Sequence, residues 1–261
     1  MAGRLRGRNR ILNTHHLTVA DGTRLAWYEL GEGRPLLLIH GLFSSADTNW
    51  IKFGHAKRIA ALGYRVLMPD LRAHGGSDRP HDPAAYPPDV LADDAEALVA
   101  ALALTDYDLG GYSLGARTVV RMLVRGARPG RVILSGMGLD GLLDTGHRAA
   151  HFRRILTGLG TFERGSPEWM AEAFLKTSGG DPKALLPLLD SFVDTTEAEI
   201  AAIDRPVLVV SGAEDDDNGS SAALAALLPQ GRYVEVPGNH MSAVVKPELG
   251  RAMAEWLGTA T

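Results

Sequence analysis

Ser113 sits in the pentapeptide Gly111-Tyr112-Ser113-Leu114-Gly115, a G-x-S-x-G pattern. Glycines two residues before and after a serine relieve crowding where a strand turns abruptly into a helix, leaving the hydroxyl exposed in a strained turn. The flanks suit that geometry, because residues 107–112 form an apolar run and residues 116–125 an amphipathic stretch. A helix starting there would aim the positive end of its dipole at negative charge developing beside the serine. Small residues at other strand-to-helix turns imitate the pentapeptide, so the flanks carry much of the inference. The chemistry in view is attack by a hydroxyl, which near neutral pH needs a base to take its proton.

His240, in Pro237-Gly238-Asn239-His240-Met241, is the candidate base because it lies on a loop after the last strand-like run. Of the nine histidines, His15, His16, His55, His81, His147 and His151 have no comparable setting. The adjacent His15 and His16 lack a third ligand nearby and read as surface residues rather than a metal site. A carboxylate must orient the imidazole and stabilise the charge it acquires. Glu214, Asp215, Asp216 and Asp217 all lie just past the strand-like run 207–211. A turn at Gly212 brings Asp215 towards the histidine loop. Glu214 comes one residue early, and Asp217, next to Asn218-Gly219, reads as a solvated turn or the approach to a helix.

An oxyanion intermediate needs backbone N–H donors, one of them from the residue after the nucleophile. Leu114 supplies that one. Leu42, in Ile39-His40-Gly41-Leu42-Phe43, is the candidate for the other, with Gly41 allowing a backbone conformation that other residues resist. Phe43 and Trp169 are expected to line the substrate pocket, with His40 in a supporting role.

The elements that must hold these residues follow from hydrophobic pattern. Short apolar runs at 36–39, 65–69, 107–112, 131–135, 207–211 and 233–236 alternate with helix-like stretches at 50–62, 88–104, 114–125, 221–228 and 247–257. That rhythm predicts an α/β fold, a mostly parallel doubly wound sheet covered on both faces. Residues 16–30, broken at Asp21-Gly22, read as an antiparallel hairpin at the sheet edge. Between 138 and 203 no strand-like run appears. Ser166-Pro167 and Asp181-Pro182 each set a capping side chain before a proline at the first helical position. The expectation is a core of residues 1–137 and 204–261, with a helical cap of residues 138–203 inserted after the sixth strand.

Composition bounds the function. Of 261 residues, 45% are hydrophobic and 22% charged, the balance of an ordinary soluble globular chain. No apolar run reaches the ~20 residues of a membrane span. A net charge of −4 argues against a nucleic-acid footprint over the whole chain. Without cysteine there is no disulfide framework, no thiolate nucleophile and no cysteine-ligated metal. Arg4, Arg6, Arg8 and Arg10 precede no apolar stretch, so they read as a solvated tail rather than a secretory signal, and a cytoplasmic location is expected.

Together these stretches resemble the α/β-hydrolase family over about residues 25–257. The family's H-G loop matches His40-Gly41, and its D-x-R-x-H-G-x-S pattern matches Asp70, Arg72, His74, Gly75 and Ser77. Its nucleophile elbow matches Gly111 to Gly115, its G-x-x-D turn matches Gly212 to Asp215, and its late histidine matches His240. Ala73 and Asn239 stand where glycine is commoner. The resemblance implies an α/β-hydrolase fold and a triad of Ser113, His240 and Asp215 acting through an acyl-enzyme. The expected activity is hydrolysis of a carboxylic ester or related small apolar acyl compound, lactones included, with no cofactor, metal, nucleic-acid or membrane partner. Carbon–carbon bond hydrolysis of a diketone-like substrate and a non-catalytic small-ligand receptor are the alternatives, and oligomeric state is left open. Gly136-Met137-Gly138-Leu139-Asp140-Gly141 spells G-x-G-x-x-G, but no strand-like segment ending in an acid follows at the spacing a dinucleotide site requires.

Overall fold

The computed structural model describes residues 14–259, so Arg4, Arg6, Arg8 and Arg10 lie outside the described residues. The strands are β1 (Thr14–Thr18), β2 (Arg24–Leu30), β3 (Arg34–Ile39), β4 (Tyr64–Pro69), β5 (Asp108–Tyr112), β6 (Val132–Ser135), β7 (Val207–Gly212) and β8 (Gly231–Val236). They form one eight-stranded sheet in the order β1-β2-β4-β3-β5-β6-β7-β8. β1 and β2 pair antiparallel at the edge, β2 runs antiparallel to β4, and every other neighbouring pair is parallel. This is the mostly parallel doubly wound sheet expected from the apolar runs.

Because side chains alternate along a strand, each central strand feeds both faces. Leu37, Ile39, Leu109, Val132, Leu134, Val207 and Val209 pack on one side with α2 (Val90–Ala101), α3 (Leu114–Val124) and α9 (Ser221–Leu227). Leu36, Leu38, Ile133, Leu208 and Val210 pack on the other with α1 (His55–Ala60), α10 (His240–Ala243) and α11 (Pro247–Gly258). A fully buried leucine of this kind contributes about 1.5–3 kcal/mol. The helix expected over 50–62 is divided: a π-helical turn, Asp47–Ile51, is separated from α1 by Gly54 at φ 79°. A glycine in the left-handed region ends the first turn and starts the next.

Between β6 and β7 lie α4 (Asp140–Leu143), α5 (Thr145–Thr157), α6 (Pro167–Thr177), α7 (Pro182–Leu188) and α8 (Glu197–Ala201). Ser166 and Asp181 accept from the backbone N–H of Trp169 and Lys183, the capping that starts α6 and α7. Thr196 and Glu199 form a capping box at α8, a T-x-x-E signal present in the sequence that the reading above passed over. Ile155, Leu156, Leu175, Leu185 and Leu188 join the same apolar cluster as the sheet, so this segment shares the main core.

The loop after β4 is anchored by buried ions. Arg72 donates to both oxygens of Asp94 on α2 at 2.7 Å, and further to Asp21 and to the carbonyl of Ala85. Arg72 and Asp94 are both buried. Breaking such a pair from one side leaves an uncompensated charge, at about 3–5 kcal/mol, so the loop is held firmly where the next section needs it.

Candidate active site

In a parallel sheet, ligands bind beyond the carboxyl ends of the strands where the chain reverses its direction of winding. Here that point lies between β3 and β5, since β4 is added on one side of β3 and β5 on the other. Ser113 ends β5 at φ 54° and ψ −113°, a conformation an L-residue resists. A Cβ on Gly115 would lie 2.1 Å from the carbonyl oxygen of Ile39, and one on Gly111 would lie 2.3 Å from the carbonyl carbon of Gly115. Both glycines are therefore set by close backbone approach, which packs α3 down on β3 and turns the serine outward.

His240 stands at the start of α10, 3.0 Å from Ser113 Oγ through Nε2. Its Nδ1 lies 3.0 Å from each carboxylate oxygen of Asp215. With the Asp215 side chain 3% exposed, the carboxylate is shielded from water and fixes the imidazole with Nδ1 protonated and Nε2 free to accept. The loops after β7 and β8 bind each other: Ala213 N–H donates to the Val236 carbonyl and Glu214 N–H to that of Gly238. A Cβ on Gly212 would meet the Gly238 carbonyl oxygen at 2.0 Å, so the glycine expected for turning is needed instead for contact. Asn239 caps α10 by accepting from Ser242 N–H, while Ser242 Oγ accepts from Asn239 N–H; this gives the departure from glycine a purpose. Glu214, Asp216 and Asp217 are exposed.

Tyr112, which the sequence reading passed over, completes the arrangement. Its hydroxyl donates to the His240 carbonyl at 2.6 Å, joining the nucleophile's neighbour to the histidine's own backbone. Burial, with the charges of Asp215 and Asp217, raises the phenol well above its ordinary value, so it remains a donor. Its ring lies on Gly136, where a Cβ would come within 2.8 Å. The G-x-G-x-x-G stretch is thus a packing device. Gly138 abuts the Gly219 carbonyl, Gly141 N–H donates to the Asn218 carbonyl, and Asn218 Nδ2 donates to the Gly136 carbonyl. Asn218, expected in a solvated turn with Asp217, is buried by these contacts, whereas Asp217 is exposed.

Leu114 follows the serine directly, and the loop that carries Leu42 approaches it at Gly41, where a Cβ would lie 3.4 Å from the Ser113 Cβ. Leu114 opens α3, where a helix leaves its first N–H groups without partners inside the helix. Around Leu42 the turn is clamped from both sides: Gly41 N–H donates to Asn49, and Phe43 N–H, at φ 59°, donates to His74 Nε2. The Leu42 N–H itself has no hydrogen-bond partner among the described residues. His40 Nδ1 donates to the Gly41 carbonyl while its Nε2 accepts from Leu71 N–H, and His74 Nδ1 donates to the Arg72 carbonyl. Burial pushes His40 down to about 4. Burial, reinforced by His40, pushes His74 down to about 3. Both rings are therefore neutral clamps rather than acids. Asp70 adds to the frame by accepting from Ala46 and Gly76 N–H at 2.8 Å each. Ala73, where glycine is commoner, takes φ 67°, which shows why glycine suits that place.

Phe43 is buried and meets Phe152 of α5 edge-on at 5.4 Å, a wall beside Leu42. Trp169 lies half-buried at the start of α6 and, among the described residues, joins neither apolar cluster and stacks on no other ring. Among the described residues no group of three or more His, Asp or Glu side chains is arranged to hold a metal. His15 stacks on Trp27 at 4.2 Å. No helix among the described residues is long and apolar enough to cross a membrane.

Comparison with known proteins places this geometry in context. The pattern described as "Alpha/beta hydrolase family" matches residues 36–249. The 2-hydroxymuconate semialdehyde hydrolase of Pseudomonas sp. (strain CF600) is 30% identical over 217 residues, 76% of this chain and 76% of that protein. The AB hydrolase superfamily protein YisY of Bacillus subtilis (strain 168) is 31% identical over 123 residues, 46% of this chain and only 44% of that protein. Among solved structures, a hydrolase from Pseudomonas aeruginosa PA01 superposes with a TM-score of 0.74 at 25% identity, over 95% of this chain and 99% of that one.

The neutral clamps make stability depend on pH. Unfolded imidazoles protonate near 6.5, whereas His40 and His74 resist protonation until about 4 and about 3. Between these limits the unfolded chain binds more protons, so stability present above about pH 6.5 is lost as pH falls. The urea midpoint is expected to drop between pH 7 and pH 5 while 15N-resolved imidazole spectra of the folded protein keep His40 and His74 neutral. Protonation of either ring near pH 6 in the folded state would contradict the clamp.

Proposed function

The chain belongs to the alpha/beta hydrolase family, and from that premise we propose that it is a serine hydrolase of carboxylic esters or related small acyl compounds, lactones included. Ser113 Oγ attacks the acyl carbon as His240 Nε2 takes its proton, and Asp215 stabilises the imidazolium that forms. The N–H groups of Leu42 and Leu114 receive the oxyanion, an interaction that in other hydrolases is worth about 3–4 kcal/mol per donor. His240 then returns the proton to the leaving alcohol. Water, activated by the same ring, releases the acid and frees Ser113. The steps balance without a metal or organic cofactor.

The observation that carries this reading is the unbroken relay of 3.0 Å contacts from Ser113 through His240 to a buried Asp215. The residues 138–203 serve in it as a cap, with Phe43 and Phe152 forming an apolar wall for the acyl chain. A second reading, hydrolysis of a carbon–carbon bond in a diketone-like substrate, is favoured by the relative named 2-hydroxymuconate semialdehyde hydrolase, a name denoting a semialdehyde rather than an ester. Parallel turnover of short esters, lactones and a vinylogous diketone separates the two.

With the preferred substrate of that screen, Ser113→Ala is expected to retain less than about a tenth of wild-type kcat. Asp215→Asn is expected to lose at least on the order of 10² in kcat/KM, because an amide favours the wrong imidazole tautomer, while the exposed Asp216→Asn loses less than about tenfold. An active Ser113→Ala enzyme, or Asp216→Asn as the crippling change, would overturn the assignment.

Tyr112 acts as a positioning residue for His240. Tyr112→Phe is expected to lower kcat by roughly three- to tenfold with KM little changed, as the loss of one neutral hydrogen bond implies. A change confined to KM, or reduced thermal stability with kcat unchanged, would assign the tyrosine a purely structural part.

A further inference from the structure

The reaction above leaves a half-buried cation without a task. Arg148, on α5, has a side chain only 13% exposed. Its guanidinium lies 4.9 Å from the ring centroid of Phe152, and that ring meets Phe43 edge-on at 5.4 Å. A terminal nitrogen of Arg148 also lies 3.4 Å from Asp217. Phe43 follows β3 and Asp217 follows β7, and the strands between them run β3-β5-β6-β7. Neighbouring strands are about 4.8 Å apart, so this row spans roughly 14 Å. A group linked through one ring to the β3 loop and directly to the β7 loop thus touches loops on both sides of β5, the strand that Ser113 follows.

The guanidinium is incompletely partnered. Arg148 Nε is buried without a hydrogen-bond partner among the described residues. The one carboxylate within reach among the described residues, Asp217, has a side chain 43% exposed and is held at the long end of hydrogen-bond distance. A guanidinium offers five donors in a planar fork that fits a carboxylate in two parallel bonds.

The surroundings reinforce the excess of positive charge. Arg117, buried one turn into α3, donates to the Gly141 carbonyl at 3.2 and 2.9 Å and lies 4.9 Å from the Phe192 ring centroid. Burial first, then the nearby Arg148, pushes Arg117 down to about 10, with Asp194 opposing. One oxygen of Asp194 is already engaged by the backbone N–H and hydroxyl of Thr145. Arg154, Glu168 and Asp217 are the other charges that act with Arg148 on the neighbouring His151.

We propose that Arg148 binds a carboxylate carried by the substrate at the far end of its acyl chain, so that the preferred substrates are half-esters of short dicarboxylic acids or lactones bearing a carboxylate. The carboxylate takes Nε and a terminal nitrogen together, in place of the long contact to Asp217. Phe43 and Phe152 meet the methylene carbons between the two ends. This rests on the serine hydrolase reading and narrows it: the acyl chain is apolar along its length and anionic at its tip.

The test compares phenyl hemisuccinate and phenyl hemiglutarate with the shape-matched neutral esters phenyl 4-methylpentanoate and phenyl 5-methylhexanoate. Rates are corrected for uncatalysed hydrolysis and measured on the wild-type chain, Arg148→Met and Arg148→Lys. Wild type is expected to favour at least one half-ester about tenfold or more in kcat/KM. In Arg148→Met the ratio of half-ester to neutral ester should fall by at least about tenfold, chiefly through KM, with Arg148→Lys in between because it keeps charge without the fork. Neutral esters cleaved by wild type with no preference for a half-ester would overturn this proposal alone, as would an Arg148→Met enzyme that loses both classes by the same factor. If none of the four esters is cleaved and phenyl acetate is also inert, the serine hydrolase reading fails and the carboxylate proposal falls with it.

Discussion

At φ 54° and ψ −113°, Ser113 occupies a backbone conformation that costs about 1–3 kcal/mol, and the remainder of the site is arranged around holding it there. Its amide donates to the Ser135 carbonyl at 2.8 Å, tying the elbow to the next strand. Gly111 and Gly115 let α3 press against the end of β3, and the apolar face of α3 buries Ala116, Val119, Val120, Met122 and Leu123. Burial of that helix offsets the strain, and the strain presents the hydroxyl. Because β3 and β5 are adjacent parallel strands, the same contact sets the loop after Ile39 beside the serine.

Around this point, buried polar groups are spent on backbone. His40, His74, Asn49 and Asp70 each bond main-chain groups of the loops after β3 and β4, so the Leu42 amide is held by its neighbours while its own donor has no partner among the described residues. Pre-set donors of this kind need no reorganisation when charge develops, which is where electrostatic catalysis gains most. On the far side of the serine, the β7 and β8 loops are joined by backbone hydrogen bonds, and Tyr112 ties the histidine back to the elbow. Asp215 and His240 are thus tied to the elbow that carries Ser113.

The sheet was legible because buried parallel strands read as unbroken apolar runs. Residues 207–211 and 233–236 match β7 and β8 to within a residue or two at each end. The break at Gly54 was hidden by the amphipathic pattern on either side of it, although the glycine itself was in view. The two segments His40-Gly41 and Asp70 to Ser77 could each be noticed, but that they interlock, His40 on Leu71 and His74 on Phe43, depends on β3 and β4 being neighbours. Tyr112 and His240 are distant in sequence, as are Arg148 and Asp217, and no local pattern joins either pair. The glycines at 136, 138 and 141 imitated a nucleotide fingerprint because both uses demand close backbone approach; here the approaching groups are Tyr112 and residues 218–219.

The central claim is that Ser113 is a nucleophile activated by His240. Treatment of the purified chain with a fluorophosphonate, followed by intact-mass and peptide mass spectrometry, tests it most directly, since the probe reacts far faster with a serine whose proton is being removed than with an ordinary hydroxyl. A single adduct on the peptide containing Ser113, absent in Ser113→Ala and slowed by at least on the order of 10² in His240→Gln, is the predicted result. No adduct, an adduct at another residue, or undiminished labelling of His240→Gln would contradict it.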